Sequence, residues 1–188
     1  MLELEQEYPG RCFPMMGLHP CSVKENYLSD LAWVRKWLDQ RDFIAIGEIG
    51  IDLHWDETFV EQQKAAFLQQ VEWALEFDRP IVIHARKSLD LLIELIKEVG
   101  DSNLRGVFHC FTGNVAQAGA IMELGLYLGI GGVGVGVVDD VAAAVGGGVV
   151  VAVAVAVGVV AVVVVVLVLL LALLQLLLLL LLLLLLLL

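Results

Sequence analysis

Positive charge is scarce and unevenly spread in this sequence: 11 Lys and Arg stand against 22 Asp and Glu, the net charge is −11, and no Lys or Arg lies beyond Arg105. That balance excludes a protein that grips long stretches of nucleic acid by neutralising many phosphates, which needs clustered basic side chains. It leaves room for chemistry on one or two phosphates, because bound divalent cations bring their own positive charge and their carboxylate ligands add to the acidic count. Cysteine is also rare. Cys12, Cys21 and Cys110 are odd in number and show no C-x-x-C spacing, which argues against a disulfide framework and leads us to expect a reducing, cytoplasmic setting. The opening stretch, Met1 to Gly10, is acidic and lacks the apolar run of a secretory signal.

Beyond Asp140 charge is absent altogether, and from Val149 to Leu188 the chain is almost wholly Val, Ala and Leu, interrupted by Gly158 and Gln175. Hydropathy alone reads such a run as a membrane span. No Lys, Arg, Trp or Tyr flanks it, however, and an unbroken Leu run specifies neither packing nor register. We therefore expect two regions: 1–137, with the mixed composition of a globular domain, and 138–188, a low-complexity Gly/Val/Leu tail that is neither a genuine domain nor a membrane anchor. After about Val137 the chain is expected to have no unique packing in water, or to form a long featureless helix. Gly129, Gly131 and Gly134 match G-x-G-x-x-G, but no helical pattern with an acid about 20 residues on follows, so dinucleotide binding is not expected.

Between these limits, short apolar runs alternate with segments of helical periodicity, which is the pattern of βα units feeding a parallel sheet. The strand candidates are Cys12 to Leu18, Phe43 to Gly47, Pro80 to Ile83, Gly106 to Phe108 and Leu126 to Ile130. Helical spacing links Leu31, Val34 and Leu38; Val60, Phe67, Val71 and Leu75; Leu89, Leu92 and Ile96; and Ala118, Ile121 and Met122. Ser29, Ser88 and Asn114 stand at expected N-caps, and Pro80 ends the second helix and opens the next strand.

Each of the first four strand candidates runs into a polar residue: His19, Glu48, His84 and His109, separated by 29, 36 and 25 residues. Parallel strands of a barrel deliver their C-terminal ends to one mouth, so these residues are expected to converge despite their distance in sequence. A single histidine there is more often a satisfied structural residue than a ligand. Three histidines and a glutamate in one phase are harder to explain by packing. Glu48, leaving an apolar strand, needs a cation or a partner, and a buried salt bridge to Arg86 is the bland alternative. A mixed imidazole and carboxylate set suits Zn²⁺, Mn²⁺ or Mg²⁺ without choosing among them. Cys110 adjoins His109 but is expected to turn toward the opposite face, into the core. Trp33, Trp37 and Trp73 fall on helices and are expected to cover the barrel, whereas Trp55, in a loop with His54, is the candidate substrate contact.

Taken as a set, Gly17-Leu18-His19-Pro20, Gly47-Glu48-Ile49-Gly50-Ile51-Asp52, His84-Ala85-Arg86, His109-Cys110-Phe111-Thr112-Gly113 and Gly129-Ile130-Gly131-Gly132 resemble, in order, the signatures of the TatD family of metal-dependent deoxyribonucleases. The resemblance spans about Cys12 to Val133 and implies a (β/α)₈ TIM barrel that hydrolyses DNA phosphodiesters. By it, Glu48, His84 and His109 are metal ligands, while His19, Asp52 and Arg86 stand beside them as catalytic residues, with His19, Arg86 and Trp55 meeting the substrate. Asp52 has a second reading, since an Asp after Gly50 can simply close a turn. The implied mechanism is in-line attack by a metal-activated water, with two divalent ions in the complete family fold. The family's opening His-x-His pair and closing Glu-Thr-Asp do not occur in this chain. The expected fold is therefore a partial barrel of about five of eight strands, the third through seventh, with doubtful activity by itself. The expected partner is DNA, as ends or single strands, with no protein partner and no membrane. Hydrolysis of another ester or amide, and an inactive or membrane-anchored fragment, are the alternatives.

Overall fold

A computed structural model describes residues 1–131; the expectations for the tail and the boundary at 137 lie outside the described residues. The chain opens on a short helix α1 (Leu2–Glu7), which the apolar spacing did not reveal, and a single 3₁₀ turn (Pro20–Ser22) precedes α2 (Tyr27–Gln40). Strand and helix then alternate: β1 (Ile46–Asp52), α3 (Val60–Glu76), β2 (Ile81–Arg86), α4 (Leu89–Val99), β3 (Gly106–Phe108), α5 (Val115–Glu123) and β4 (Tyr127–Leu128). The strands form one sheet in the order β1-β2-β3-β4, each neighbour parallel, which is the β/α arrangement expected.

Period-2 alternation assigns the two faces of this sheet. Ile49, Ile51, Ile81, Ile83 and Phe108, all fully buried, join Phe67, Leu92 and Ile121 from the helices in one apolar core. Residues of the other phase, Glu48, Asp52 and His84, rise from the opposite face. A β-bulge at Glu48, between the register pairs Gly47–Val82 and Ile49–Ile83, makes this phasing work. An extra residue there lets Ile46 and Ile49, an odd number apart, both enter the core while Glu48 turns away from it.

Several strand bounds differ from expectation. The second strand runs Ile46–Asp52 rather than Phe43 to Gly47, so Glu48 lies within it, not past its end. A carboxylate on one face does not stop a strand whose other face carries Ile49 and Ile51. The segment Cys12 to Leu18 forms only a single bridge, Met16 with Ile46, flanked by Ile44 N donating to Pro14 O and Gly47 N to Met16 O. Pro14 brings no N–H to such a ladder. Leu126 to Ile130 contracts to Tyr127–Leu128.

The four expected helices are present. Asn114 caps α5 with a reciprocal bond pair to Gln117, and Ser88 occupies the N-cap of α4. Ser29 does not cap α2: Asn26 holds that position, and the Ser29 hydroxyl donates back to Asn26 O at 2.8 Å. Trp73 is buried and Trp37 packs against the core, while Trp33 is 57% exposed and meets the Trp37 ring edge-on. Among the described residues, no helix is long and apolar enough to cross a membrane.

Candidate active site

His84 sits at the centre of the polar face, held by two carboxylates from β1. Its Nε2 lies 2.8 Å from Asp52 Oδ2, and its Nδ1 lies 3.4 Å from Glu48 Oε1. Close packing of β1 on β2 makes this arrangement possible, and it requires glycine at position 50: Gly50 has φ +145°, and a Cβ there would collide with the His84 carbonyl. His19 approaches from the 3₁₀ turn. Its ring meets His84 edge-on at 4.6 Å, and its Nε2 stands 3.9 Å from Glu48 Oε2. Its Nδ1 accepts a hydrogen bond from Cys21 N at 3.2 Å, which places the proton of the neutral ring on Nε2.

Asp52 uses its two carboxylate oxygens differently. Oδ1 accepts from His54 N and Trp55 N, closing the turn after β1, while Oδ2 takes the His84 bond. The alternative reading of Glu48, a salt bridge to Arg86, is not what forms. The Arg86 guanidinium lies over the Trp55 ring, 5.1 Å from the centroid, at the far edge of the site. Trp55 is 71% exposed and walls a cleft of about 210 Å³ shared with Pro20, Cys21, Lys24, Asp52 and Asp56. His109, just past β3, is near enough for its charge to act on Glu48.

Cys110 is not a core residue. The strand ends at Phe108 and Cys110 takes a left-handed backbone, φ +48°, so strand alternation no longer applies. Its thiol turns back to His109 Nε2 at 3.1 Å. Cys21 was likewise not singled out by its sequence context, yet its sulfur lies 3.6 Å from Asp52 Oδ2. Burial, then the Asp52 charge, pushes the Cys21 thiol above its ordinary pKa.

Two buried glutamines of α3 complete the site and also escaped the sequence reading. Gln70 bonds the backbone of Leu18, next to His19, and Gln63 bonds the backbone of Asp52. Their signal is position: Gln63, Phe67, Gln70 and Ala74 share one helix face, all buried, so the amides occupy core positions of the helical pattern.

The charges are mutually supporting. Burial works to lower the His84 pKa, but Glu48 and Asp52 together raise it above the ordinary value. Burial works to raise Glu48, and the neighbouring His84, His109 and His19 bring it below its ordinary value. Asp52 is lowered in the same way: burial opposes, while the His54 N–H and His84 prevail. His19 goes down, through burial and then the positive charge of His84.

These residues fit a divalent cation. Glu48 Oε1 is buried with no hydrogen-bond partner, and His84 Nδ1 stands 3.4 Å from it. A buried, unpaired carboxylate oxygen is costly, and an ion removes the cost. Two donors about 2.0–2.2 Å from one ion at a tetrahedral angle stand about 3.4 Å apart, so the Nδ1 to Oε1 spacing suits shared ligation. Asp52 holding the other ring nitrogen is the usual outer partner of a metal-binding imidazole.

Comparison with known proteins agrees with this geometry. A family model described as TatD related DNase matches residues 1–145. The chain is 34% identical over 131 residues to the uncharacterized metal-dependent hydrolase YabD of Bacillus subtilis, covering 70% of this chain and 51% of that protein. It is 34% identical over 129 residues to the 3'-5' ssDNA/RNA exonuclease TatD of Yersinia pseudotuberculosis, covering 69% and 50%. The crystal structure of YJJV, a TatD homolog from Escherichia coli K12, superposes with a TM-score of 0.63 at 29% identity, over 69% of this chain and 50% of that one. The chain thus spans about half the length of the relatives it matches. With the parallel strand order, the juxtaposed Glu48 and His84 and the matched region in agreement, this chain belongs to the family of TatD-related DNases.

Proposed function

We propose that these residues form part of the active site of a metal-dependent hydrolase that cleaves DNA phosphodiester bonds at single-stranded ends. The observation that carries this reading is the buried, partnerless Glu48 Oε1 set 3.4 Å from an imidazole that Asp52 holds by its other nitrogen. Glu48 and His84, with His109 beside them, hold the cation. When bound, a divalent ion would supply a lowered pKa for water and positive charge for a phosphate oxygen; two ions, as Mg²⁺, Mn²⁺ or Zn²⁺, are the number and kinds we propose for the complete fold.

The chain's own groups do the rest. Asp52 fixes the tautomer and orientation of His84. His19, with its proton on Nε2, donates to a phosphate oxygen near Glu48. Arg86 binds a second phosphate by its planar fork, and exposed Trp55 offers a stacking face to a base. An acidic balance of charge suits strand ends better than a wrapped duplex. Three free thiols suit a reducing, cytoplasmic compartment.

The test compares this chain with a version extended to the length of its relatives, on single-stranded DNA, RNA and a small phosphodiester, with Mg²⁺, Mn²⁺ or Zn²⁺. Cleavage of DNA by the extended protein, abolished in Glu48→Ala, and only trace cleavage by this chain are expected. DNA left intact while another ester turns over would overturn the reading.

A further inference from the structure

Cys21 takes no part in the chemistry above, yet it stands among ligand-type side chains. One donor atom from each of His19, Cys21 and His84 lies within 4.8 Å of the others. Sulfur and nitrogen donors on one tetrahedral ion stand roughly 3.3–3.8 Å apart, so closure needs about 1 Å. Cys21 is exposed, and rotation about its own χ1 moves the sulfur that far.

His84 is two-sided here. Nδ1 faces Glu48, whereas Nε2 faces Asp52, whose Oδ2 is also the oxygen 3.6 Å from the Cys21 sulfur. A thiolate with two imidazoles selects soft ions, while a carboxylate with imidazole also accepts hard ones. We propose that His19, Cys21 and His84 form a second cation site, specific for thiophilic ions such as Zn²⁺ and Cd²⁺, and that filling it draws His84 away from Asp52 and weakens ion binding at Glu48. The thiol proton passes to solvent as the sulfur–metal bond forms, and His19 gives up its long bond from Cys21 N. Soft ions in excess therefore inhibit by taking a shared imidazole. Ion binding at Cys21 stands without the hydrolase reading; the competition at Glu48 rests on it.

The experiment titrates the metal-free full chain with Cd²⁺ and follows the ultraviolet thiolate-to-cadmium charge-transfer absorption. One saturating band is expected, unchanged in Cys12→Ser and Cys110→Ser and absent in Cys21→Ser. His19→Gln should keep the band but weaken binding by roughly 10–100-fold. A band that survives Cys21→Ser, that disappears in Cys110→Ser, or that is indifferent to His19→Gln overturns the assignment. Mn²⁺ bound at Glu48 is read separately by electron paramagnetic resonance, with Glu48→Gln as the control. Cd²⁺ should displace it from the wild type and not from Cys21→Ser. Mn²⁺ that stays bound as the cadmium band saturates overturns the competition. A cadmium band at Cys21 with no Mn²⁺ bound supports the soft site and overturns the Glu48 reading together with the competition.

Discussion

Gln70 turns its side-chain amide onto the backbone of Leu18: Oε1 accepts from Leu18 N at 2.6 Å, and Nε2 donates to Leu18 O at 3.3 Å. The amide thus does for an irregular segment what a neighbouring strand would do, satisfying both polar groups of a residue with no ladder of its own. Two turns earlier on α3, Gln63 does the same for Asp52, accepting from its N–H at 2.8 Å and donating to its carbonyl at 3.4 Å. One helix face therefore pins the residue before His19 and the residue that orients His84.

Gln70→Leu leaves both Leu18 groups buried and unpaired, each worth about 1–3 kcal/mol, so the expected loss of stability is about 2–6 kcal/mol. Urea unfolding measures it. A loss below about 1 kcal/mol would mean that water or a shifted backbone replaces the amide. Gln63→Leu should cost a similar amount and, unlike Gln70→Leu, should also weaken ion binding, because Asp52 and hence His84 lose their anchor.

The order of β/α units was legible because it rests on periodicity, a local property of the chain. The Glu48 bulge was not, since the odd spacing of Ile46 and Ile49 reveals it only once both are known to be in the core. Gln63 and Gln70 went unnoticed because an amide's partner, a backbone group 11 or 52 positions away, leaves no mark in composition. Cys110 was misplaced because strand alternation was carried two residues past the end of β3, into a left-handed turn.

The pH dependence of the metal-free protein should carry the signature of His84. Its pKa in the fold lies above the ordinary imidazole value of about 6.5, so its pairing stabilises fully below that value and is lost as pH rises through the raised one. Glu48 and Asp52 are lowered, so they stabilise above the ordinary carboxylate range of about 4 and lose this as pH falls through their lowered values. His19, shifted down, opposes the low-pH side. Stability is thus expected to peak between the two ranges, at about pH 5–6. Asp52→Asn removes one partner of His84 and should flatten the fall above the ordinary imidazole value of about 6.5. Matching urea-midpoint profiles for both proteins across that fall would refute the pairing.

Once pH rises through the raised His84 pKa, Glu48 loses the imidazolium that favours its charge, and it should then cost stability until an ion arrives, because its Oε1 is buried without a hydrogen-bond partner. At about pH 8.5 and without metal, Glu48→Gln is expected to be at least as stable as the wild type, because a neutral amide is cheaper to bury than a carboxylate. Adding Mn²⁺ at about 100 times its Kd should stabilise the wild type by about 2.7 kcal/mol and the variant by far less. Thermal unfolding with and without Mn²⁺ reads both effects. A variant that loses stability without metal yet keeps its Mn²⁺ response would show that Glu48 is a structural group, not a ligand.

Trp55 should govern binding of a base and not the chemistry on phosphorus. Its ring is 71% exposed, one side faces the Arg86 guanidinium at 5.1 Å, and it borders the cleft that Asp52 closes below. Stacking of one base on an aromatic ring is worth about 1–3 kcal/mol, so Trp55→Ala should raise KM for single-stranded DNA by roughly 5–150-fold in the extended protein. The turnover number should change little, since nothing in the ring touches Glu48, His84 or His19. A small phosphodiester with no base supplies the control: its kcat/KM should be the same in both proteins. Arg86→Lys separates the neighbour's role, because an ammonium keeps the charge but not the planar fork, so it should weaken both substrates alike. If Trp55→Ala lowers kcat for the small phosphodiester as much as for DNA, the ring instead holds the turn after β1 in place, and its part in recognising a base is wrong.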